Sequence, residues 1–160
     1  MPHTIPAGYT TVTPWIISAD TGRLLDFIAA AFGGEELARM KNPAGAIEHA
    51  EIRIGDAVVM AFDAPEGVAP QPAFIRLYLP DARVAFAKAI GAGAVEVTKP
   101  TLLAFGDRVA RVRDPLGNIW WLQQHVEDVS EAEMQQRWTD PNWSTPMEYV
   151  QHSLAQALRT

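Results

Sequence analysis

The sequence predicts an α+β fold of two tandem βαβββ modules, and three observations carry the prediction. A β-propensity run, an Asp-capped apolar helix, a glycine stop, a short strand and a hairpin follow one another twice along the 160 residues. Equivalent positions keep one spacing: Asp20 and Asp81, Thr13 and Phe74, and Met60 and Trp121 are each 61 residues apart, the mark of an internal duplication. The composition, 48% hydrophobic and 20% charged, supplies enough apolar surface for a packed core. We expect curved mixed sheets that enclose a cleft, with C-terminal helices after them. Module one covers about 9–62, module two about 74–125 and a helical tail 126–160, all within one domain.

The lead-in through Gly8 carries Pro2 and Pro6 and is read as irregular. Tyr9 to Ser18 is rich in β-branched and aromatic residues and is read as the first strand. Asp20 can cap the next helix, because its carboxylate accepts from free N–H groups in the first turn. Leu24, Phe27, Ile28 and Ala31 then recur at helical spacing until Gly33-Gly34 ends the run. Glu36 to Met40 is a short strand. In Ile47 to Phe62 a glycine leads the two-residue loop Gly55-Asp56, which suits a hairpin turn whose first central residue has positive φ. That loop pairs Ile54 with Ala57, Glu51 with Met60 and His49 with Phe62. Alternation sends His49, Glu51, Arg53, Val58, Met60 and Phe62 to one face, and Ala50, Ile52, Ile54, Ala57, Val59 and Ala61 to the other. The second set is small and apolar, fit to lie under a helix. The first mixes polar groups with large apolar ones and reads as a cavity wall.

The second half repeats the plan. A proline-rich connector over 63–71 leads to a strand at Phe74 to Leu79 and a helix capped by Asp81. Ala82, Ala85, Phe86, Ala89 and Ile90 form that helix's stripe, Gly91 and Gly93 stop it, and Val95 to Val97 is a short strand. Two strand-like runs then flank the turn signal Asp114-Pro115-Leu116-Gly117. Ser130-Glu131-Ala132-Glu133 reads as a capping box opening a helix towards Trp138. Thr145-Pro146 opens another helix, with proline at its first position. Its stripe of Met147, Val150, Leu154 and Leu158 is expected to dock on the body or on a second subunit.

Several functions are excluded or disfavoured at once. A net charge of −6 argues against a nucleic-acid backbone as partner. The chain has no cysteine, hence no disulfide, thiol nucleophile or thiolate metal site. No apolar run is long enough to span a bilayer, and the N-terminus lacks the succession of a signal peptide, so no membrane partner and a cytoplasmic location are expected. Phosphate-loop, nucleophile-elbow, HExxH and dinucleotide motifs are absent.

The order and spacing of Thr11-Val12-Thr13-Pro14, Ala31-Phe32-Gly33, His49-Ala50-Glu51-Ile52-Arg53-Ile54-Gly55-Asp56, Gly106-Asp107-Arg108 and Asp114-Pro115-Leu116-Gly117-Asn118-Ile119-Trp120 resemble the vicinal oxygen chelate superfamily. That superfamily includes glyoxalase I, bleomycin-resistance proteins and extradiol dioxygenases; the PhnB-like group is the nearest in pattern. The resemblance covers roughly 9–125. It implies metal-ligand positions at Thr13, Met60, Phe74 and Trp121, none of which offers a carboxylate or imidazole. We therefore expect no metal and no other cofactor.

Ligand-contact candidates are Trp15, Glu51, Met60, Phe74, Arg76, Tyr78, Arg108 and Trp121, and catalytic candidates are His49 and Glu51. His49 and Glu51 share a strand face, as an acid–base pair, as ligands of a displaced metal, or as a plain hydrogen-bonded pair beside Arg53. Arg76 can grip a carboxylate or phosphate with its fork, or pair with Glu51. Trp120 and Trp121 alternate: the resemblance assigns Trp121 to the cleft, where it can stack on a planar ligand, and Trp120 to the core. Arg108 shares the face of Trp121 if the preceding turn has four residues; Arg111 and Arg113 do if it has five. His3, His125 and His152 are read as surface or tail residues. The leading expectation is a metal-independent, homodimeric binder of a planar, partly apolar small molecule, resembling the bleomycin-resistance type. The alternative is a glyoxalase- or dioxygenase-like enzyme, lyase or oxygenase in type, working through His49 and Glu51. A third reading gives the C-terminal helices a role in partner contacts.

Overall fold

The computed structural model describes residues 4–159, so His3 lies outside the described residues. Contacts divide the chain into two units, Met1–Ala73 with Pro115–Asn118, and Phe74–Asp114 with Ile119–Thr160. The first holds β1 (Trp15–Ser18), α1 (Thr21–Phe32), β2 (Glu35–Lys41), β3 (Ile47–Ile54) and β4 (Ala57–Asp63). The second holds β5 (Phe74–Tyr78), α2 (Ala82–Gly91), β6 (Val95–Leu102), β7 (Asp107–Arg113) and β8 (Ile119–His125), then α3 (Glu131–Trp138) and α4 (Pro141–Ala157). The sheet orders are β1-β4-β3-β2 and β5-β8-β7-β6. In each, the first and last strands pair in parallel and the others antiparallel. These are the two tandem βαβββ modules with mixed sheets and C-terminal helices.

Both aspartate caps form. Asp20 accepts from Arg23 N at 2.9 Å, and Asp81 from Arg83 N at 2.8 Å. The α1 stripe (Leu24, Leu25, Phe27, Ile28, Ala31) is buried, as are Ile16, Ala50, Ile52, Val59 and Ala61 on the sheet face beneath it. Each such aliphatic is worth about 1.5–3 kcal/mol when fully buried. The hairpin turns at Gly55, with φ 59°, and pairs Glu51 with Met60 and Ile54 with Ala57. Asp63, ending β4, accepts from Thr21 N and Ile47 N, both at 2.7 Å, so one carboxylate ties β4 to the starts of α1 and β3. In the second unit α2 covers the face of Ala110, Val112, Trp120 and Leu122, all of them fully buried. Trp120 donates to Asp114 Oδ2 at 2.9 Å.

Several boundaries differ from expectation, each for a physical reason. β1 begins at Trp15, because Tyr9 N closes a turn on Pro6 O (3.2 Å) and the tyrosine side chain is drawn away from the ladder. β6 runs for eight residues, with a register shift between Thr98 and Thr101 where Pro100 cannot donate to the ladder. Helix α2 continues through Gly91 to an Ala92 cap, and Gly93 (φ 99°) takes the left-handed position; Ile90 is 38% exposed, off the buried stripe. Helix α4 starts at Pro141 behind an Asp140 cap, which leaves Pro146 inside the helix and not at its start. Its stripe buries Val150 and half-buries Met147 and Leu154, while Leu158 stays 63% exposed. In the capping box Ser130 Oγ accepts from Glu133 N at 3.3 Å, and the Glu133 carboxylate goes to Arg137.

Candidate functional site

The register of the first sheet aligns Trp15 with Met60 and Met60 with Glu51. Trp15, His49, Glu51, Arg53, Met60 and Phe62 therefore share the face turned away from α1, as the alternation requires. His49 Nε2 lies 2.8 Å from Glu51 Oε1, and Tyr9 Oη donates to Glu51 Oε2 at 2.5 Å. Trp15 packs against the His49 ring at 5.6 Å and the Phe62 ring at 5.8 Å. The Tyr9 bond, followed by the His49 bond, holds the Glu51 carboxyl below its ordinary value; the Tyr9 hydroxyl is raised by the same contact. Tyr9 was missed as a site residue, because β propensity placed it in the strand. Its segment instead folds over this face, where an open groove of about 590 Å³ is lined by Ile5, Pro6, Tyr9, Thr11, Thr13 and Met60 among others.

In the second sheet Arg76 aligns with Trp121, and Trp121 with Arg111. Five residues, 114–118, connect β7 to β8, which settles the facing of the arginines: Arg111 and Arg113 lie on the face of Trp121. Arg108 lies on the opposite face, donating to Gln124 Oε1 at 3.0 Å, so its candidacy as a contact beside Trp121 is corrected. The 61-residue spacing persists from Trp15 to Arg76 and from Met60 to Trp121, but the longer loop makes Arg111, 60 residues on, the equivalent of Glu51.

Around Trp121 the second face is an aromatic and guanidinium cluster. Arg76 sits 5.2 Å from the Trp121 ring and 5.9 Å from the Tyr78 ring, while its Nη1 donates to Gln123 Oε1 at 3.1 Å. Phe74 meets Trp121 edge-on at 5.9 Å. Gln123 is oriented by donating to Asp107, whose other oxygen lies 2.7 Å from His125 Nδ1; His125 Nε2 reaches Asp128 at 3.0 Å. His125 lies at the surface as expected but is paired, not isolated. Phe74 (49%), Arg76 and Tyr78 (64%) are all exposed. Arg111, by contrast, is only 2% exposed. Its centre lies 3.9 Å from the Trp121 ring, and Nη1 donates to Thr98 Oγ1 (3.1 Å) and Val150 O (2.8 Å). Helix α4 therefore lies on the face opposite α2 and covers the β6–β7 half of this surface. Burial alone pushes Arg111 down to about 10, still charged at neutral pH. His152 lies exposed on α4.

The metal positions implied by the resemblance do not fit a divalent ion. Phe74 and Trp121 carry no lone pair suited to coordination, Met60 offers a thioether and Thr13 a neutral hydroxyl. Among the described residues no three His, Asp or Glu side chains converge as a metal site. Within its own unit both oxygens of Glu51 are engaged, by Tyr9 and His49.

No family model matches the chain. It is 33% identical over 135 residues to the uncharacterized protein Mb0911c of Mycobacterium bovis, covering 78% of this chain and 89% of that one. It is equally identical to the uncharacterized protein Rv0887c of Mycobacterium tuberculosis, covering 79% of that protein. Among solved structures, TioX from Micromonospora sp. ML1 superposes with a TM-score of 0.63 at 24% identity, over 73% of this chain and 99% of that one. A glyoxalase/bleomycin resistance protein/dioxygenase family enzyme from Burkholderia phytofirmans superposes with a TM-score of 0.59 at 14% identity, over 71% and 97%. The chain belongs to the family of these mycobacterial proteins, and its fold is that of the glyoxalase/bleomycin resistance/dioxygenase superfamily.

Proposed function

We propose that the protein is a metal-independent small-molecule binder of the PhnB-like group, acting as a homodimer with both modules working as one domain. The observation that carries this reading is the half-exposed strip of Phe74, Arg76 and Tyr78 against Trp121, with Arg76 held over two rings. Aromatic faces stack on a planar body, and the guanidinium adds a cationic contact for an electron-rich or anionic edge. Trp15, Glu51 and Met60 are the candidate contacts on the first module's own sheet face. Such aromatic and thioether contacts with a few charges suit a planar, partly apolar ligand. An enzyme working through His49 and Glu51 is the weaker reading, because a general base is most effective with a pKa near the working pH. Glu51 is held below its ordinary value by two hydrogen bonds that engage both oxygens.

Plasma mass spectrometry of the untagged protein, incubated with zinc, nickel, manganese and iron, tests the metal clause. We expect well under one metal per chain, and a stoichiometric transition metal overturns the reading. A library of planar aromatic acids and amines is then titrated against tryptophan fluorescence. Arg76→Ala and Phe74→Ala are expected to weaken any hit at least tenfold, roughly the loss of one desolvated cation or stacking contact, while His49→Ala with Glu51→Ala leaves it within a few-fold. Hits that depend on His49 and Glu51, and not on Arg76, would replace the binder by the enzyme.

A further inference from the structure

We propose that the cavity between α3 and α4 is a second ligand site, one that takes a small organic ammonium cation such as a quaternary amine. The half-open cavity has a volume of about 210 Å³ and is lined by Trp138, Trp143, Ser144, Met147, Glu148, Arg137 and Ala104. That volume is below the ~300–1,000 Å³ of drug-sized pockets, so the occupant is small. Its walls are two indoles and a thioether. Trp138 is 68% exposed, and a second depression, lined by Met134 and Gln135, flanks the same indole.

The charges at this cavity select the sign of the occupant. Arg137 is already matched: it binds the carboxylates of Glu127 (2.6 Å) and Glu133, donates to Ala104 O at 3.1 Å, and stacks over Trp143 at 4.5 Å. Two carboxylates therefore oppose one guanidinium. Glu148 adds a further negative charge on the rim, and among the described residues it has no hydrogen bond or ion pair. An anion would meet this surplus of negative charge, and a neutral apolar ligand would leave Glu148 unanswered. An ammonium group can lie on the indole of Trp138 and face Glu148 at once, the chemistry by which aromatic cages hold quaternary amines. Arg137 over Trp143 is an internal example of the same contact.

These residues are separate from the strip around Trp121, so the inference stands independently of the proposed function. The test is an NMR titration of the indole N–H resonances of the five tryptophans with choline and with its neutral isostere 3,3-dimethylbutan-1-ol. Choline is expected to shift the Trp138 and Trp143 signals saturably. The neutral isostere is expected to bind about tenfold more weakly or not at all, and Glu148→Gln to cost choline a similar factor. Trp138→Ala, a change at an exposed side chain, should abolish saturation with the far-UV spectrum unchanged. No saturable shift, equal binding of the isostere, or indifference to both substitutions would each overturn the proposal. So would choline-insensitive self-association that Trp138→Ala removes, which would make the surface a contact between copies.

Discussion

Arg111 is a cation buried to 2% exposure with no carboxylate against it among its hydrogen bonds, and its replacement separates the value of charge from the value of shape. Two hydrogen bonds from a charged donor contribute about 1.5–3 kcal/mol each. The stack on Trp121 at 3.9 Å adds about 2 kcal/mol when desolvated. Against this stand several kcal/mol for removing a cation from water and about 1–3 kcal/mol for Nε, which has no partner. The two sides are of the same size, so the charge itself is worth little. Methionine keeps an apolar stem on Trp121 and leaves few groups stranded, because Thr98 Oγ1 retains Ser153 Oγ (2.7 Å) and Val150 O retains Ser153 Oγ (3.2 Å). Arg111→Met should therefore lie within about 1.5 kcal/mol of the parent. Arg111→Ala loses the same charge but empties the space under α4, and should cost about 2–5 kcal/mol. Urea unfolding followed by circular dichroism and fluorescence, with slopes compared, measures both. A methionine variant as unstable as the alanine variant would refute the reasoning and make the charge the decisive element.

Three further outcomes follow from the same contacts. Tyr9→Phe removes the larger of the two hydrogen bonds that lower Glu51, so a carbon-detected NMR titration should find the Glu51 midpoint raised towards its ordinary value. Since a depressed carboxylate gives stability above its unfolded pKa and loses it as pH falls through the folded one, this variant should lose less stability on acidification than the parent. His125 is raised, first by Asp107 and then by Asp128. Its contribution is full below about 6.5 and is lost as pH rises through the higher folded value, so His125→Gln should flatten that part of the stability–pH curve. Gly106 has φ 87°, and a Cβ there would come within 2.1 Å of Glu127 O, a backbone atom. Gly106→Ala should cost at least about 1–3 kcal/mol, read as a drop in melting temperature; an unchanged value would mean that the 126–129 segment yields freely.

What was legible in the sequence is what local chemistry decides. Asp20 and Asp81 are caps because a carboxylate ahead of an apolar 3.6-residue stripe has free N–H groups to accept from. Gly55 points to the first hairpin because a glycine leading a two-residue loop supplies the positive φ that its turn needs. The second hairpin was open at one point: Asp114 to Asn118 can turn in four residues or five, and a single residue exchanges Arg108 for Arg111 on the face of Trp121. Alternation put one of Trp120 and Trp121 in the core, and the resemblance chose Trp120. Tyr9 was not legible, because its partner Glu51 is 42 residues away and nothing local overrides the β propensity of its neighbours. Arg111 was equally hidden, since its partners lie on β6 and on the distant α4.

Both hidden residues have one origin, and it leads to a last prediction. The duplicated frame gives each sheet a face turned away from its helix, and at the equivalent position one face carries Glu51 and the other Arg111. Neither charge is answered by its own sheet alone. Tyr9, from the segment before β1, bonds Glu51; α4, from beyond β8, supplies Val150 O to Arg111 and Ala157 O to Arg113. α4 also closes a small core of Leu103, Val109 and Val150, against which Trp121 and Met147 pack. A chain ending after Val126 would leave Arg111 without its helix acceptor and open Val109, Leu103 and Trp121 to water. Exposed apolar surface of that kind binds hydrophobic dyes and associates. The truncated chain should therefore bind more anilinonaphthalene sulfonate than the parent and unfold with a lower urea midpoint. If it instead unfolded at the parent's midpoint with no gain in dye binding, α4 would be an appendage, and the closed core beneath it would contribute nothing to the second module.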